Sequence, residues 1–396
     1  MKCKITNKKI NPFMSFGKMP IANGFIEEKN FSNEFYFDME VGFSEDLSLF
    51  QLNDHPKPES MFNAWYPFYA GSSEYMKEHF KNFSNFVKKN YLGTESKIIE
   101  IGSNDGTLLK NFLENEKNIL GIEPSKNVAD KAFNDGVPTL NKFFNTNNIS
   151  NLKNFLGKTD VILASNCICH IPDLDNLIKG IDLLLNKDGT FIFEEPYLGS
   201  MIEKTSYDQI YDEHIYMFSV TSIKKIFKIY DFELIDAIPQ VTHGGSMRYI
   251  VKRAGNNIIS GQMNKILENE KNKKIDTIES CLEFKNNCEK SKENIIQKLY
   301  TLKNDNKKIC GYAATSKSTT VLNYCQINSK IIDYICDTTS EKIGKYSPGM
   351  HIPIVNMDYF HNNLPDAAYL FGWNHKDEIF KKEHSFSGEW FSHVNL

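Results

Sequence analysis

Short apolar runs alternate with amphipathic stretches through the middle of the chain. Residues 98–101 form one such run, the pattern typical of a buried parallel strand, and the apolar spacing from residue 107 onward predicts a helix. The other runs that predict strands are residues 119–123, 160–165, 190–195, 232–238 and 247–252. Strand and helix alternating over residues 97–250 predict an α/β fold with a doubly wound parallel sheet.

Three further parts flank this region. Residues 1–60 contain alternating stretches, which predict short antiparallel strands in a small β module. Residues 255–305 are rich in Glu, Lys and Asn with helical spacing and predict a helical connector with a solvated face. Residues 306–396 restart the alternation and predict a second, Rossmann-like α/β domain. The predicted organisation is a β module (1–60), an α/β domain with an N-terminal helix (61–254), the connector (255–305) and a C-terminal domain (306–396).

Composition and charge exclude several function classes. The 396 residues are 41% hydrophobic and 24% charged, and the net charge of −4 gives no reason to expect nucleic acid or an anionic membrane as partner. No apolar run approaches the ~20 residues of a membrane span, and we expect no signal peptide. The eight cysteines include no C-x-x-C pair, so we expect reduced thiols in a cytoplasmic protein. We expect the protein to be a monomer or a weak oligomer.

A glycine-containing turn after residues 98–101 predicts a nucleotide-type site. Gly102 and Gly106 allow a tight turn and a close approach of the backbone to a ligand. Glu123 ends the next predicted strand, about 20 residues on, where an acid can accept hydrogen bonds from two ribose hydroxyls. The turn lacks the G-x-G-x-x-G of dinucleotide binders. An ordinary turn in some other α/β fold is the alternative interpretation.

Titratable side chains follow the ends of later predicted strands. His170 comes after the strand at 160–165, and Tyr211, Glu213 and His214 lie in a stretch dense in titratable groups. Ligands bind at the carboxyl ends of strands in open α/β sheets, and imidazole titrates near neutral pH. Either histidine alone is more simply a structural hydrogen-bond donor. The combination with Glu and Tyr favours a site for proton abstraction.

Ordered motifs along nearly the whole chain resemble those of the sugar C-methyltransferases of deoxysugar biosynthesis. The sequence Glu100-x-Gly102-x-Asn104-Asp105-Gly106 is similar to motif I of class I S-adenosylmethionine (SAM) methyltransferases. The other segments that carry the resemblance are residues 17–23, 170–173, 211–214, 242–248, 311–325 and 348–353. The resemblance implies a class I methyltransferase domain and SAM as cofactor, with S-adenosylhomocysteine as product. It also implies methylation of a carbon of a nucleotide-linked 4-keto-6-deoxyhexose.

The resemblance implies roles for individual residues. His214 is expected to be the general base, which Tyr211 and Glu213 orient, and His170 is expected to stabilise an enolate oxygen. Tyr66 matches an aromatic position of the family's site. The expected SAM-binding residues are Glu100, Gly102, Asn104, Asp105, Gly106, Glu123 and Asn166. The expected substrate-binding residues are Lys317, His243 and Arg248.

The N-terminal module departs from the family pattern. Family members carry two C-x-x-C pairs that bind a structural zinc, whereas this chain has Cys3, Thr6, Ser44 and Leu47 at those positions. A tetrahedral thiolate site cannot be built from one cysteine, so we expect no zinc. Apolar packing is expected to stabilise the module instead, through Phe35, Phe37, Met39, Leu49 and Leu52.

Two alternative functions remain open from the sequence. A methyltransferase of the same fold could act on an oxygen or nitrogen of a nucleotide-linked or surface-polysaccharide sugar, which requires no acidic carbon-bound hydrogen. A non-catalytic SAM-binding protein is the second alternative. Against it stands the intact set of expected functional side chains, Glu100, Asp105, Glu123, His170 and His214.

Overall fold

The chain folds into three β-sheets connected and covered by helices. The computed structural model describes residues 1–395, apart from the side chains of residues 115–117. The strands are β1 Pro12–Pro20, β2 Tyr36–Ser44, β3 Leu49–Leu52, β4 Ile98–Ile101, β5 Ile119–Ile122, β6 Thr139–Leu140, β7 Thr159–Ser165, β8 Leu185–Pro196, β9 Tyr216–Met217, β10 Phe232–Gln240, β11 Ser246–Arg253, β12 Ile309–Tyr312, β13 Tyr334–Cys336, β14 Ile354–Val355, β15 Ala367–Leu370 and β16 Glu389–Phe391. The α-helices are α1 Pro58–Met61, α2 Glu74–Tyr91, α3 Lys126–Asn134, α4 Thr146–Ile149, α5 Leu174–Leu184, α6 Leu198–Lys204, α7 Val220–Lys228, α8 Gly261–Asn272, α9 Ile278–Asn304, α10 Ser316–Tyr324, α11 Met357–Asn362 and α12 Lys376–Lys382.

The central sheet has the strand order β10-β11-β8-β7-β4-β5-β6 within the described chain. Strands β4 to β8 pair in parallel, as the alternating pattern predicts. The sheet is mixed rather than wholly parallel, because β11 pairs antiparallel with both β8 and β10. The chain between β10 and β11 is only a short turn, and a parallel crossover needs a dozen or more residues. The predicted α/β class is confirmed.

The helix expected after the glycine turn is a 3-10 helix, Leu109–Asn118. Leu108, Leu109 and Phe112 are buried there, the face that their spacing predicts. They pack in one core with Phe80 and Phe83 of α2, on one side of the central sheet. This packing fixes the turn that precedes the helix at the carboxyl end of β4.

The N-terminal module forms an antiparallel sheet of order β1-β2-β3-β9. Strand β9 comes from much later in the chain and pairs Phe50 with Met217, so the module is joined to the segment that directly follows His214. The expected packing residues Phe37, Met39, Leu49 and Leu52 are buried. The prediction for Phe35 is wrong, because this residue precedes β2, is not covered by the sheet and is 52% exposed.

The C-terminal domain has a parallel sheet of order β14-β13-β12-β15-β16. Helix α9 connects it to the rest of the chain. The face of α9 that carries Cys281, Phe284, Cys288, Ile295 and Leu299 is buried in a core shared with the N-terminal module. The connector is therefore a packing element with one solvated face. Among the described helices, none combines the length and apolar character that a bilayer crossing needs.

Candidate active site

A cavity of about 810 Å³ lies where the three parts of the chain meet. Its walls come from the N-terminal module, from the carboxyl ends of the parallel strands of the central sheet, and from the start of α10. The predicted site residues that line it are Tyr66, Glu100, Gly102, Asn104, Glu123, Asn166, His170, Tyr211, Glu213, His214, His243 and Lys317. Asp105, Gly106 and Arg248 lie outside the lining.

Backbone hydrogen bonds fix Glu123 at one end of the cavity. Its carboxylate accepts from the Asn104 amide at 3.0 Å and from the Ser125 amide at 2.7 Å. Burial raises the pKa of Glu123, and these two donors oppose that shift. At Gly102, whose φ is 67°, a Cβ would lie 2.7 Å from the Cys167 sulfur. At this turn, backbone without a side chain therefore lies near the Glu123 carboxylate, which can accept further hydrogen bonds.

Glu100 lies beneath the same turn. It is 3% exposed, and within the described chain its Oε2 atom has no hydrogen-bond partner. Burial, together with the neighbouring carboxylates of Asp105 and Glu123, raises the pKa of Glu100 well above its usual range. A cationic or hydrogen-bond-donating ligand group at this end of the cavity would satisfy the free oxygen.

The polar side chains of the glycine turn contact protein rather than the open cavity. Asn104 accepts from the Ala70 amide at 2.9 Å through its side-chain oxygen and donates to the Phe68 carbonyl at 3.2 Å. Asp105 accepts from the Gly71 amide at 2.9 Å. Both side chains thus bind the backbone of residues 68–71, a contact that the sequence did not reveal.

A hydrogen-bond chain determines the tautomer of His214. Its Nδ1 lies 2.7 Å from the Gln209 carbonyl oxygen, and its Nε2 lies 2.7 Å from the Tyr211 hydroxyl. Because a carbonyl can only accept, Nδ1 carries the proton and Nε2 presents a lone pair. Burial and the nearby His170 hold the pKa of His214 well below its usual value. The imidazole is therefore neutral at neutral pH and able to accept a proton.

His170 stacks between two rings at the cavity wall. Its ring centroid lies 5.3 Å from that of His214 and 5.5 Å from that of Phe62. Burial lowers the pKa of His170 to about 3, so this imidazole is also neutral. Its buried Nε2 is without a hydrogen-bond partner among residues 1–395. Glu195 holds the preceding segment, accepting from the Cys167 and Ile168 amides at 3.0 and 2.6 Å.

Glu213 connects the N-terminal module to the segment that carries His214. Its carboxylate accepts from the Asn23 side-chain amide at 2.7 Å and from the Tyr66 hydroxyl at 3.0 Å. The adjacent Asp212 accepts from the Ala22 amide at 2.9 Å. Burial raises the pKa of Glu213 to about 7. The loop that ends β1 is thereby anchored to this acidic pair.

The opposite end of the cavity is cationic. Lys317, in the first turn of α10, is buried, donates to Asn374 at 3.2 Å and lies 4.7 Å above the Trp373 ring. Lys342 donates to the Ala314 carbonyl at 2.8 Å. Burial lowers the pKa of Lys317, whereas the Asp208 carboxylate raises it. A helix N-terminus with two lysines is suited to an anionic group.

Arg248 belongs to a buried ion pair away from the cavity lining. Strand pairing places it opposite Glu194, and its guanidinium lies 2.6 Å from that carboxylate. The guanidinium also stacks on the Phe83 ring at 4.1 Å. Glu194 additionally contacts His79 of α2 at 2.6 Å. The structure therefore places Arg248 where it joins α2 to the sheet, whereas the sequence suggested that it contacts substrate.

Three family models match successive parts of the chain. They are described as "Putative zinc binding domain" over residues 3–62, "Methyltransferase domain" over 73–237 and "C-methyltransferase C-terminal domain" over 241–394. Together they give the chain the three-domain architecture of a SAM-dependent C-methyltransferase.

Known relatives of this C-methyltransferase differ in how much of it they match. The C-methyltransferase NovU from Streptomyces niveus is 27% identical over 376 residues, covering 94% of this chain and 89% of NovU. An uncharacterized methyltransferase from Bacillus pumilus (strain SAFR-032) is 25% identical over 142 residues, covering 34% of this chain and 65% of that protein. A SAM-dependent methyltransferase structure from Clostridium acetobutylicum ATCC 824 is 18% identical, covers 46% of this chain and 94% of its own, and gives a TM-score of 0.35.

The N-terminal domain of this C-methyltransferase does not present a zinc donor set. At the four positions where the family has cysteines, the chain brings together one thiol, two hydroxyl side chains and a buried leucine, from Cys3, Thr6, Ser44 and Leu47. The Thr6 amide donates to the Cys3 sulfur at 3.5 Å. Four-coordinate zinc in proteins is held by Cys, His or carboxylate ligands. These residues do not fit the ion.

A second group of metal-donor side chains lies within the cavity wall. Cys169, His170 and His214 place their donor atoms within 4.8 Å of one another. Both nitrogens of His214 are already hydrogen-bonded, to Gln209 and Tyr211. A metal ion would therefore have to displace the Tyr211 hydroxyl from His214. The observed arrangement is an imidazole with both ring nitrogens hydrogen-bonded to protein.

Sequence reasoning missed several residues that line the cavity, among them Asn23, Lys342, Asn374 and His375. A signal existed for Asn23, because it ends the segment 17–23 that carries the family resemblance. The others reach the cavity from segments whose positions depend on tertiary packing. Their local sequence contains no motif that could have indicated them.

Proposed function

We propose that this C-methyltransferase methylates the carbon alpha to the ketone of a nucleotide-linked 4-keto-deoxysugar, through an enolate that the protein generates. The observation that supports this most directly is the neutral His214, with its lone pair fixed on Nε2, beside the unpartnered His170. Transfer to carbon requires a nucleophilic carbon, and a proton alpha to a ketone is the accessible source. An acceptor oxygen or nitrogen would need no donor to stabilise an enolate oxygen.

SAM supplies a methyl electrophile on a sulfonium, and we assign its binding to the end of the cavity around Gly102. Glu123 would accept from the ribose hydroxyls, and the unsatisfied Glu100 oxygen would face the amino acid portion. Asn104 contributes its backbone, because its side chain is already bonded to Ala70 and Phe68. Asn166, with φ of 52°, lines the same end.

In this proposal the two histidines divide the chemistry of the sugar. The Tyr211 hydroxyl releases the Nε2 lone pair of His214, which then removes the α proton. The carbon–hydrogen electron pair becomes the carbon–carbon double bond of the enolate, and the π electrons of the ketone move to its oxygen. Tyr211 orients the base, and Tyr66 and Glu213 hold the neighbouring wall. His170 donates to the enolate oxygen. Stabilisation of developing charge by a preorganised donor in a dry site is usually the largest single contribution to catalysis.

The nucleotide portion of the substrate is assigned to the cationic end of the cavity. Lys317 and Lys342 would face the diphosphate, with the N-terminus of α10 beside them. His243 lines the wall between the two ends. This placement orients the sugar ring toward His214, where carbon and methyl group can meet in line.

The proposed function predicts exchange of one carbon-bound proton in deuterated water. Native protein with S-adenosylhomocysteine bound is incubated with a panel of nucleotide-linked 4-keto-6-deoxysugars and followed by NMR. We expect deuterium at the carbon next to the ketone of at least one sugar, and methylation of that carbon when SAM replaces the product. If the protein binds S-adenosylhomocysteine but exchanges no proton, and methylates a hydroxyl or amine instead, carbon methylation of a ketosugar is wrong.

We also propose that the N-terminal domain folds without zinc, on the basis of the donor set around Cys3. Purified protein is then expected to contain far less than one zinc per chain, and a chelator is expected to leave the Tm unchanged. Stoichiometric zinc that is lost with a fall in Tm would contradict this. Cys3→Ser serves as the matched variant, because it removes the one thiol at these positions. Its zinc content should equal that of the native protein.

A further inference from the structure

Residues 62–73 form a strap across the SAM end of the cavity. Phe62, Tyr66, Pro67, Phe68 and Ala70 all line the cavity from this side. The strap includes a single short 3-10 turn, Ala70–Ser72, and otherwise lacks regular secondary structure in the described chain. Its position therefore depends on the groups that bind it from below.

The strap is bound by the turn that precedes the 3-10 helix. The side chain of Asn104 forms two hydrogen bonds with strap backbone, one with the Ala70 amide and one with the Phe68 carbonyl. Asp105 accepts from the next amide, Gly71. The same turn provides Gly102 and the Asn104 amide to the SAM end, so one loop serves both the cofactor and the strap.

A second contact comes from the loop after Glu123. Asn127, in the first turn of α3, donates to the Tyr66 carbonyl at 2.8 Å and to the Tyr69 hydroxyl at 2.9 Å. The Tyr66 hydroxyl donates to Glu213, next to the base. The strap is thus bonded to both SAM-side loops and to the acidic residue beside His214.

Apolar burial contributes to this attachment mainly at Tyr66, which is 7% exposed, and at Phe62, whose ring stacks on His170. Trp65 is 86% exposed and Phe68 is 47% exposed, although large aromatic side chains are normally the strongest anchors of a segment. A segment held by a few hydrogen bonds and little buried apolar area opens locally at low free-energy cost. Residues 67–73 of the strap are held mainly in this way and therefore have the character of a movable cover.

We propose that the strap lifts to admit SAM and to release S-adenosylhomocysteine. Asn104 and Asn127 are positioning residues that act as a latch: they hold the strap closed, with the Tyr66 hydroxyl bonded to Glu213. This inference rests on the SAM-dependent activity, and its Tyr66 part also rests on the proposed function. Asn104 suits the role because its φ of 49° is tolerated by Asn and Gly, and its amide matches one donor and one acceptor of the strap backbone.

The latch is tested by the rate at which SAM leaves. Protein loaded with radiolabelled SAM is mixed with excess unlabelled SAM, without sugar, and the bound label is followed by rapid filtration. Asn104→Gly removes the side chain without straining the backbone, and loss of two hydrogen bonds should speed release about tenfold. Asn127→Ala should speed it by a similar factor. Asn306→Gly is the matched control, since Asn306 is exposed and has φ of 55°.

A steric variant tests the same inference independently. A Cβ at Gly71 would lie 2.6 Å from the Thr107 hydroxyl and 3.0 Å from the Asp105 carboxylate, so Gly71→Ala should displace the strap and also accelerate release. Gly93→Ala, where the nearest atom is 3.9 Å away, is its control. Native release rates in both Asn104→Gly and Gly71→Ala would overturn the latch. Because no sugar is present, that result would leave the proposed sugar chemistry untouched.

Discussion

Replacing His214 with asparagine is expected to slow α-proton exchange and methyl transfer by a factor of about 10² to 10⁴. The substitution removes the lone pair on Nε2, and no other neutral imidazole nitrogen is fixed in the same position by a carbonyl acceptor such as that of Gln209. The measurement is deuterium incorporation into the ketosugar with S-adenosylhomocysteine bound.

The affinity for SAM separates loss of the base from loss of the fold. His214 lies away from Glu123 and the glycine turn, so SAM binding by His214→Asn should match that of the native protein. His384→Asn, at an exposed position, is the matched histidine control and should exchange at the native rate. An unchanged exchange rate in His214→Asn would remove His214 from the role of base. Loss of SAM binding would instead indicate that the site as a whole was disturbed.

The sequence predicts best where function depends on a local signal. Glu123, His170 and Lys317 each follow or end a strand, and open α/β sheets bring the carboxyl ends of their strands to one edge. All three line the cavity. The parallel strands β4, β5, β7 and β8 are predictable because each contains a short apolar run between helical stretches, whereas the two-residue strand β6 contains no such run and was not predicted.

What the sequence could not predict depends on register and on long-range contact. Arg248 lies in a motif that resembles a family segment, yet its position opposite Glu194 follows from how β11 pairs with β8. Asn104 has the sequence position of a cofactor ligand, but its side chain is bonded to residues 34 and 36 positions earlier. A pattern along the chain contains no information about such partners. The exposure of Phe35 is a smaller case, decided by where β2 begins.

These contacts suggest how the three parts of the chain cooperate. Asn23 of the N-terminal domain bonds Glu213, and Thr319 of the C-terminal domain donates to the Ala22 carbonyl at 2.8 Å. Thr320 of the C-terminal domain donates to the Ile210 carbonyl at 2.8 Å, so the segment carrying His214 is held by both flanking domains. Methyl transfer to carbon requires fixed distances between the base, the acceptor carbon and the methyl donor, because a displacement of about 1 Å can lower the reaction rate strongly. A site built from three domains achieves this only when all three are docked.

Replacing Lys317 with methionine is expected to raise the KM for the nucleotide-linked sugar by about thirtyfold or more, with kcat at saturation nearly unchanged. The lysine is buried at the start of α10, where its ammonium faces the cavity, so its loss removes a desolvated positive charge from the assigned diphosphate position. Methionine keeps an apolar stem over the Trp373 ring, which limits any collapse of the wall. Tyr211 and His214 come from another segment of the chain, and the Lys317 charge contributes only a minor part of the lowered pKa of His214, after burial and His170.

Steady-state kinetics on the sugar identified by proton exchange measure this split between KM and kcat. Lys290→Met, at an exposed position on α9, is the matched control and should have native constants. A larger KM for the nucleotide-linked sugar, together with an unchanged response to a sugar lacking the nucleotide, would locate the loss at the anionic group. A native KM in Lys317→Met would mean that the diphosphate binds elsewhere. The cationic end of the cavity would then be a structural feature of the C-terminal domain.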